Sequence, residues 1–170
     1  MKKRILTVLL ILMIFCFHVN AGTGIGAQLG VIPPLFNIDA AQTVSATIKT
    51  DRIPFVFSAK IQLEDKRFSG AGFTSDMWLA NPIIGHSIIH FYYGPGLTVL
   101  YFPKIDRDDY FQVAQLFAAT RFVTGINCFL TDFSEIYAQA AVEPGVVFHE
   151  KDGVKFRILF PIEAGIRIWF

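Results

Sequence analysis

In the last segment of the chain, an apolar residue recurs at every second position. One face carries only apolar side chains, which are Phe156, Ile158, Phe160, Ile162, Ala164, Ile166, Ile168 and Phe170. The strong charges of the segment lie on the other face, at Lys155, Arg157, Glu163 and Arg167. A period of two residues predicts a β-strand, and this strand is long enough to cross a bilayer at a tilt. Because a strand can cross lipid only within a closed barrel, the segment indicates a membrane barrel.

Seven further segments alternate in the same way. The sequence therefore predicts an all-β fold, an eight-stranded antiparallel up-and-down transmembrane β-barrel. The segments span about residues 24–31, 43–49, 55–64, 70–79, 88–102, 113–130, 135–148 and 156–170. The gaps between them hold turn-forming residues such as Asn81-Pro82 and Lys151-Asp152-Gly153.

An even number of strands brings both ends of the domain to one side of the membrane. If that side is the periplasm, the outer loops are about 32–42, 65–68, 103–110 and 149–154. The inner turns are then about 50–54, 80–87 and 131–134. Three clusters of charged residues, at 64–67, 104–109 and 149–152, fall on the outer side. Since these clusters played no part in assigning the strands, they support the topology independently.

The first 21 residues have the pattern of a secretory signal peptide. Met1-Lys2-Lys3-Arg4 is a basic start, residues 5–17 are almost wholly apolar, and Val19-Asn20-Ala21 fits the small-residue cleavage rule. We therefore expect residues 1–21 to be removed during export across the inner membrane. Residues 22–170 are then expected to form a single outer-membrane β-barrel domain.

The composition agrees with an exported barrel and excludes several other classes. Hydrophobic residues make up 53% of the chain and Phe occurs 18 times, yet no run after the signal is long enough for a membrane helix. Cys128 is the one cysteine beyond the signal, so neither an internal disulfide nor a cysteine-based metal site is expected. Loss of the signal changes the formal net charge from +1 to −2, which gives no reason to expect nucleic acid as a partner.

Alternation alone fits two kinds of closed barrel. A soluble, lipocalin-like barrel turns its apolar face inward, whereas an outer-membrane barrel turns it toward lipid. The polar face includes runs such as Gly26, Gln28 and Gly30, which would leave a soluble barrel with few charges outside. Eight apolar stripes rich in Phe would also overfill an interior that is only just wide enough for side chains. The membrane barrel is therefore favoured, with a soluble ligand-binding barrel as an alternative.

Four stretches of the chain resemble a known family. They are Thr74-Ser75-Asp76-Met77-Trp78-Leu79, Tyr92-Tyr93-Gly94-Pro95-Gly96, Arg121 with Gly125-Ile126-Asn127, and Ala164-Gly165-Ile166-Arg167-Ile168-Trp169-Phe170. They resemble small outer-membrane β-barrel proteins common in spirochaetes, and are broadly similar to barrels of the OmpA, OmpX and OmpW type. The resemblance covers about residues 70–170 and implies a barrel surrounded by lipid in the bacterial outer membrane. The pair Trp169 and Phe170 resembles the signal read by the barrel assembly machinery, the partner expected during biogenesis.

The predicted lumen contains charged side chains of both signs, at Lys49, Lys60, Glu64, Asp76, Arg121, Glu135, Glu143, Lys155, Arg157, Glu163 and Arg167. Because an unpaired buried charge is costly, the simplest arrangement is an ion-pair network that plugs the narrow interior. We expect a structural polar network formed by Lys60, Asp76, His90, Arg121, Glu135, Glu143, Arg157, Glu163 and Arg167. A narrow channel for small solutes is the alternative, although a selective pore would present charges of one sign.

The sequence contains no recognisable catalytic constellation. It lacks the nucleophile-elbow, zinc-protease and phosphate-loop motifs. His90 is expected to point inward near Tyr92, where Asp76 could reach it, but no serine nucleophile lies between them. We therefore expect no catalysis, no cofactor and no metal site. The function predicted is that of an integral outer-membrane barrel with a structural or surface-interaction role, and no sequence feature identifies a surface partner.

Overall fold

The computed structural model of the protein describes residues 22–34, 40–79, 89–103, 105–107, 110–112, 114–149 and 153–170, and the predicted signal peptide lies outside this part of the chain. The described residues form eleven strands: β1 Thr23–Ile32, β2 Ala41–Thr50, β3 Phe55–Glu64, β4 Arg67–Met77, β5 Ile89–Phe102, β6 Ile105–Arg107, β7 Tyr110–Gln112, β8 Gln115–Thr131, β9 Ser134–His149, β10 Gly153–Leu159 and β11 Ile162–Trp169. None of these residues belongs to a helix that could span a membrane.

The strands close into an antiparallel barrel of eight, as the alternation predicts. β10 and β11 together make the eighth strand because both pair with β9. β11 also pairs with β1, from Gly24 opposite Trp169 to Val31 opposite Ile162, which closes the barrel. At what we call the lower end, the amide of Phe170 donates to the carbonyl oxygen of Thr23 at 3.0 Å. The strands β1, β3, β5 and β9 end at the opposite, upper end.

Side chains alternate between the lumen and the outside along the barrel strands. In β2, Thr43, Ser45 and Thr47 are buried, while Val44 and Ile48 between them are exposed. The other barrel strands likewise turn the face that was predicted to be apolar outward. The soluble alternative is wrong on this point, because it requires the opposite facing.

The eighth strand differs from the single run that was predicted. Its ladder is interrupted at Phe160 and Pro161, between β10 and β11. Proline has no amide hydrogen and fixes its backbone, so it interrupts a ladder. The Pro161 carbonyl oxygen still accepts a hydrogen bond from the amide of Ala141 in β9, at 2.9 Å. The two segments therefore continue along one neighbour despite the break.

The upper end carries structure that the sequence reading assigned to loops. Residues 103–110 were predicted as a loop, but β6 and β7 pair as a separate two-stranded hairpin within this region. β5, β8 and β9 have 14, 17 and 16 residues, against 10 in each of β1, β2 and β3. β9 and β10 stay paired up to His149 and Gly153, above Val31 and Ile162, the uppermost pair between β1 and β11. The wall is therefore taller at the upper end on this side.

Candidate functional site

The lumen is filled by three layers of inward side chains. An apolar upper layer consists of Ile32, Ala41, Leu100, Phe102, Phe117, Ala119, Val147 and Leu159. Below it, a central network joins the charged residues Lys60, Asp76, Arg121, Glu143 and Glu163. A lower cluster then combines charges with aromatic rings at Lys49, Trp78, Glu135, Tyr137, Arg167 and Trp169. The candidate site is therefore the lumen itself rather than a cleft on its surface.

Arg121 is the hub of the central network. Its Nε lies 2.9 Å from Oδ1 of Asp76, while its Nη1 and Nη2 donate to Glu143 and Glu163, respectively. The side chain of Arg121 has no exposed surface, and those of its three partners are at most 2% exposed. The planar guanidinium suits this role because it presents several donors in fixed directions.

Lys60 completes the pairing of the central network. Its Nζ donates to Oε1 of Glu163 at 2.8 Å, and Nε2 of Gln139 donates to Oε2 of the same carboxylate at 2.8 Å. Thr98 donates to Glu143 at 2.9 Å. The network thus joins two cations to three acids, each held by at least one charge-assisted hydrogen bond. Such pairing is what makes buried charges tolerable in a low-dielectric interior.

Glu135 organises the lower cluster. Its Oε2 accepts hydrogen bonds from Nη1 of Arg167 at 2.7 Å and from Nε1 of Trp169 at 2.9 Å. Its Oε1 accepts from Nδ2 of Asn127 at 2.8 Å. The Arg167 guanidinium lies over the ring of Tyr137, 4.6 Å from its centroid, so it combines an ion pair with a cation–π contact.

Two tyrosines span the lumen wall in the same way. Tyr92 lies opposite Gly125 in the ladder, and its hydroxyl donates to Gln139 on the next strand at 3.0 Å. Tyr137 is opposite Gly165, and its hydroxyl donates to Gln28 on the next strand at 3.0 Å. A Cβ at either glycine would lie 2.5 Å from the tyrosine oxygen. We call this repeated arrangement the Tyr–Gly–Gln bridge.

A glycine makes room for the Arg121 ion pair by the same geometry. Gly96 lies between Asp76 and Arg121 in the sheet register, directly opposite each of them. A Cβ at Gly96 would overlap the Asp76 carboxylate. Because Gly96 has no side chain, Asp76 on β4 and Arg121 on β8 can form an ion pair across β5, the strand between them.

The structure places the predicted network residues in two groups, with two exceptions. Lys60, Asp76, Arg121, Glu143 and Glu163 meet in the central network, and Glu135 and Arg167 meet in the lower cluster. His90 lies at the lower end, where its ring is 5.9 Å from that of Phe129. Arg157 lies half-buried on β10, opposite Gly145, and makes no salt bridge to the acids of the described strands. The single continuous network expected from sequence is therefore divided in two.

The apolar upper layer was missed by sequence reasoning. Leu100, Phe117 and Val147 are at most 2% exposed, although they face the lumen. The sequence indicates this layer only by short departures from alternation, where two apolar residues are adjacent, such as Val146-Val147 in β9 and Leu116-Phe117 in β8. Lys155, which was expected in the lumen, is instead exposed near the upper end. The upper part of the lumen is therefore apolar rather than charged.

The acids of the central network face a cation of the protein itself. No group of three or more His, Cys, Asp or Glu side chains suited to a metal occurs in the part of the chain that the structure describes. The carboxylates of Asp76, Glu143 and Glu163 face the Arg121 guanidinium instead. Their arrangement stabilises the buried positive charge of Arg121.

Fold and lumen together define a closed eight-stranded barrel that is apolar outside and polar in its centre. No protein-family model matches the chain, and no curated protein shows significant similarity to it. Neisserial surface protein A has a similar structure, with 13% identity and a TM-score of 0.52 over 87% of this chain and 96% of that one. The N-terminal β-barrel domain of Pseudomonas aeruginosa OprF gives 12% identity and a TM-score of 0.51, over 87% and 99%.

Both solved structures are outer-membrane eight-stranded β-barrels. At such low identity the likeness concerns the fold alone, because function depends on particular sites. The resemblance to spirochaete barrels stays a prediction.

Proposed function

We propose that the protein is an integral β-barrel of the bacterial outer membrane with a structural or surface-interaction role and no catalytic activity. The observation that carries the proposal is the exposed apolar belt around a charged lumen. Leu29, Leu97 and Phe122, at different points of this belt, have 66%, 61% and 58% of their surface exposed. In water a belt of this extent would promote aggregation, whereas in lipid it is the surface that a barrel requires.

The filled lumen favours a structural role over a channel. The apolar upper layer blocks the path above the central network, and Arg121 occupies the centre with no exposed surface. An eight-stranded barrel has just enough interior space for its side chains, so little room is left for a continuous file of water. The narrow channel remains the second candidate, because polar groups line the middle of the lumen.

The tall side of the barrel supports a role at the cell surface. If the lower end faces the periplasm, the β6–β7 hairpin and the upper parts of β8, β9 and β10 project outward. Val154 and Phe156 on β10 are 62% and 69% exposed, so this wall offers apolar side chains near its rim.

The contacts of Asp76 support the absence of catalysis. The sequence placed this carboxylate within reach of His90, as the acid of a general-base pair requires. In the structure it binds Nε of Arg121, with a hydrogen bond of 3.1 Å to Oδ2. An acid held in this way neutralises the guanidinium and does not orient an imidazole.

Fractionation of cells is the decisive experiment for the proposed location. The protein should sediment with outer membranes, and it should migrate faster on a gel before boiling than after boiling. A closed barrel resists detergent, which produces this difference in migration. Recovery of the protein from the soluble periplasmic fraction would contradict the proposal.

Planar bilayer recordings distinguish the structural role from the channel. The purified barrel should produce no conductance steps above background. The variant Leu100→Ala with Phe117→Ala thins the apolar upper layer and serves as a comparison. Reproducible steps from the unmodified protein would favour the channel instead.

A further inference from the structure

The lower cluster contains more positive than negative charge. Lys49 and Arg167 are its cations, and Glu135 is its buried acid. Glu135 already accepts three hydrogen bonds, one of them from Arg167. Lys49 makes no salt bridge within the described ranges. Asp51 lies close by in the next turn, but it is exposed, and water screens its charge.

Three donors in this cluster are buried without a hydrogen-bond partner in the described part of the chain. They are Nε and Nη2 of Arg167 and Nε1 of Trp78. Arg167 has no exposed surface, and Trp78 is 9% exposed. A buried donor without an acceptor is costly, and the cost is larger for a charged group. These donors therefore favour a guest that accepts hydrogen bonds and carries negative charge.

Both cations of the lower cluster, Lys49 and Arg167, lie close to the ring of Trp78. The Lys49 Nζ lies 4.2 Å from the centroid of this ring and 5.5 Å from that of Trp169. The Arg167 Cζ lies 5.4 Å from the Trp78 centroid. Lys49 and Trp169 are half-buried at the lower end of the barrel, which gives a small solute an approach from that side.

We propose that the lower cluster binds one small monovalent anion of the halide class, between Lys49 and Arg167 and beside Trp78. The guest is small because the free nitrogens of Arg167 are fully buried. It is weakly hydrated, because the walls are mainly aromatic rings that cannot replace a tightly held water shell. Doubly charged, strongly hydrated anions such as sulfate are disfavoured for the same reason.

The chain contains only two tryptophans, Trp78 and Trp169, so its indole fluorescence reports directly on this site. The test is an iodide titration of the folded, detergent-solubilised barrel, with sodium gluconate keeping the ionic strength constant. A bound iodide should quench the fluorescence saturably and leave the lifetime of the remaining emission unchanged. Caesium, a cationic quencher, should give no saturable component. Quenching by iodide that rises linearly without saturation would overturn the proposal.

Variants and a competitor test the residues assigned to the site. Lys49→Met should raise the iodide midpoint about tenfold, because it removes a charge-assisted contact. Arg52→Gln is the matched control, since Arg52 is a cation in the turn at the same end but is exposed, and its midpoint should stay within about twofold. An unchanged midpoint in Lys49→Met contradicts the assignment.

If the Lys49 variant does not fold, competition in the unmodified protein decides. Chloride should raise the iodide midpoint in proportion to its concentration, whereas sulfate at the same ionic strength should not. Absence of competition by chloride would reject a halide site.

Discussion

Tyr92 and Tyr137 make the same set of contacts two barrel strands apart. Each ring covers a glycine on the adjacent strand, and each hydroxyl donates at 3.0 Å to a glutamine one strand further. Tyr137 lies on β9, the strand that also carries Gln139, the acceptor of the first bridge. The first bridge runs from β5 over β8 to β9, and the second runs from β9 over β11 to β1. Together the two Tyr–Gly–Gln bridges cover five consecutive barrel strands. Side chains thereby connect strands that share no backbone hydrogen bonds.

Replacement of Gly125 should measure the value of one bridge. Gly125→Ala places a methyl group against the Tyr92 ring and the carbonyl oxygen of Ala138. It should lower the free energy of unfolding by about 2 kcal/mol, as overpacking in a tight interior does. Urea titration of the barrel in lipid vesicles measures this change. In the Tyr92→Ala background the same substitution should cost less, because only the contact with the Ala138 carbonyl oxygen remains. An equal cost in both backgrounds would show that the ring is not the obstacle.

The central network should be sensitive to loss of one charge. Glu163→Gln removes the carboxylate that Lys60 binds and should cost about 3 kcal/mol or more, because the buried ammonium of Lys60 loses its ion pair while Arg121 keeps Asp76 and Glu143. Asp132→Asn is the control, since Asp132 is exposed in the turn between β8 and β9, and should change stability by less than about 0.5 kcal/mol. Similar stabilities for the two variants would mean that the network contributes little.

The outer belt can be tested by placing a charge on it. Phe122→Lys puts an ammonium near the middle of β8 on the outer face and should destabilise the barrel in vesicles by about 2–4 kcal/mol. Val154→Lys makes the same change near the rim, on β10, and should have a much smaller effect. If both lysines were tolerated equally, the depth assigned to the belt would be wrong.

Deletion of the β6–β7 hairpin should leave the barrel intact. The two strands pair only with each other among the described strands, so the barrel register does not depend on them. Replacement of residues 104–113 by a short Gly-Ser linker should preserve the shift in gel migration on boiling. Loss of the compact form on unboiled gels would indicate that the hairpin supports the wall.

Phe170 is expected to act in assembly rather than in the folded barrel. Its side chain is 52% exposed on the outside, and its amide bonds to Thr23, so truncation of the ring leaves the closing contact in place. Phe170→Ala should reduce the amount of protein inserted in cells while the stability of the purified barrel stays nearly unchanged. Thr50→Ala, at the same end of β2, is a control for insertion. Normal insertion of the Phe170 variant would remove the case for an assembly signal.

The strand count and the two faces could be predicted from the sequence because both follow from a period of two residues. Val44 and Thr43 are assigned to opposite faces by position alone, and the structure agrees. Which side chains meet across neighbouring strands depends on the register of those strands, and the register cannot be predicted from a single sequence. The bridge from Tyr92 over Gly125 to Gln139 was therefore invisible, although each residue was assigned to the correct face.

The apolar upper layer escaped prediction for a different physical reason. The prediction assumed that polar residues of each alternating segment face the lumen and that apolar residues face lipid. Phe117 and Leu100 are apolar on the lumen side, so that marker fails where a barrel packs its interior like an ordinary core. The same assumption gave a single charged network, where the structure has two.

The position of Glu163 has a consequence for how the barrel is completed. Lys60 comes from β3 and Arg121 from β8, and the carboxylate that joins them is delivered by β11, the strand that closes the circle. An intermediate that lacks β11 would bring an uncompensated ammonium toward hydrocarbon, which is strongly unfavourable. Neutralisation of the Lys60 charge is thereby coupled to the pairing of β11 with β1. A sheet that has not yet closed is therefore unfavourable in the membrane, because it still contains an unpaired charge.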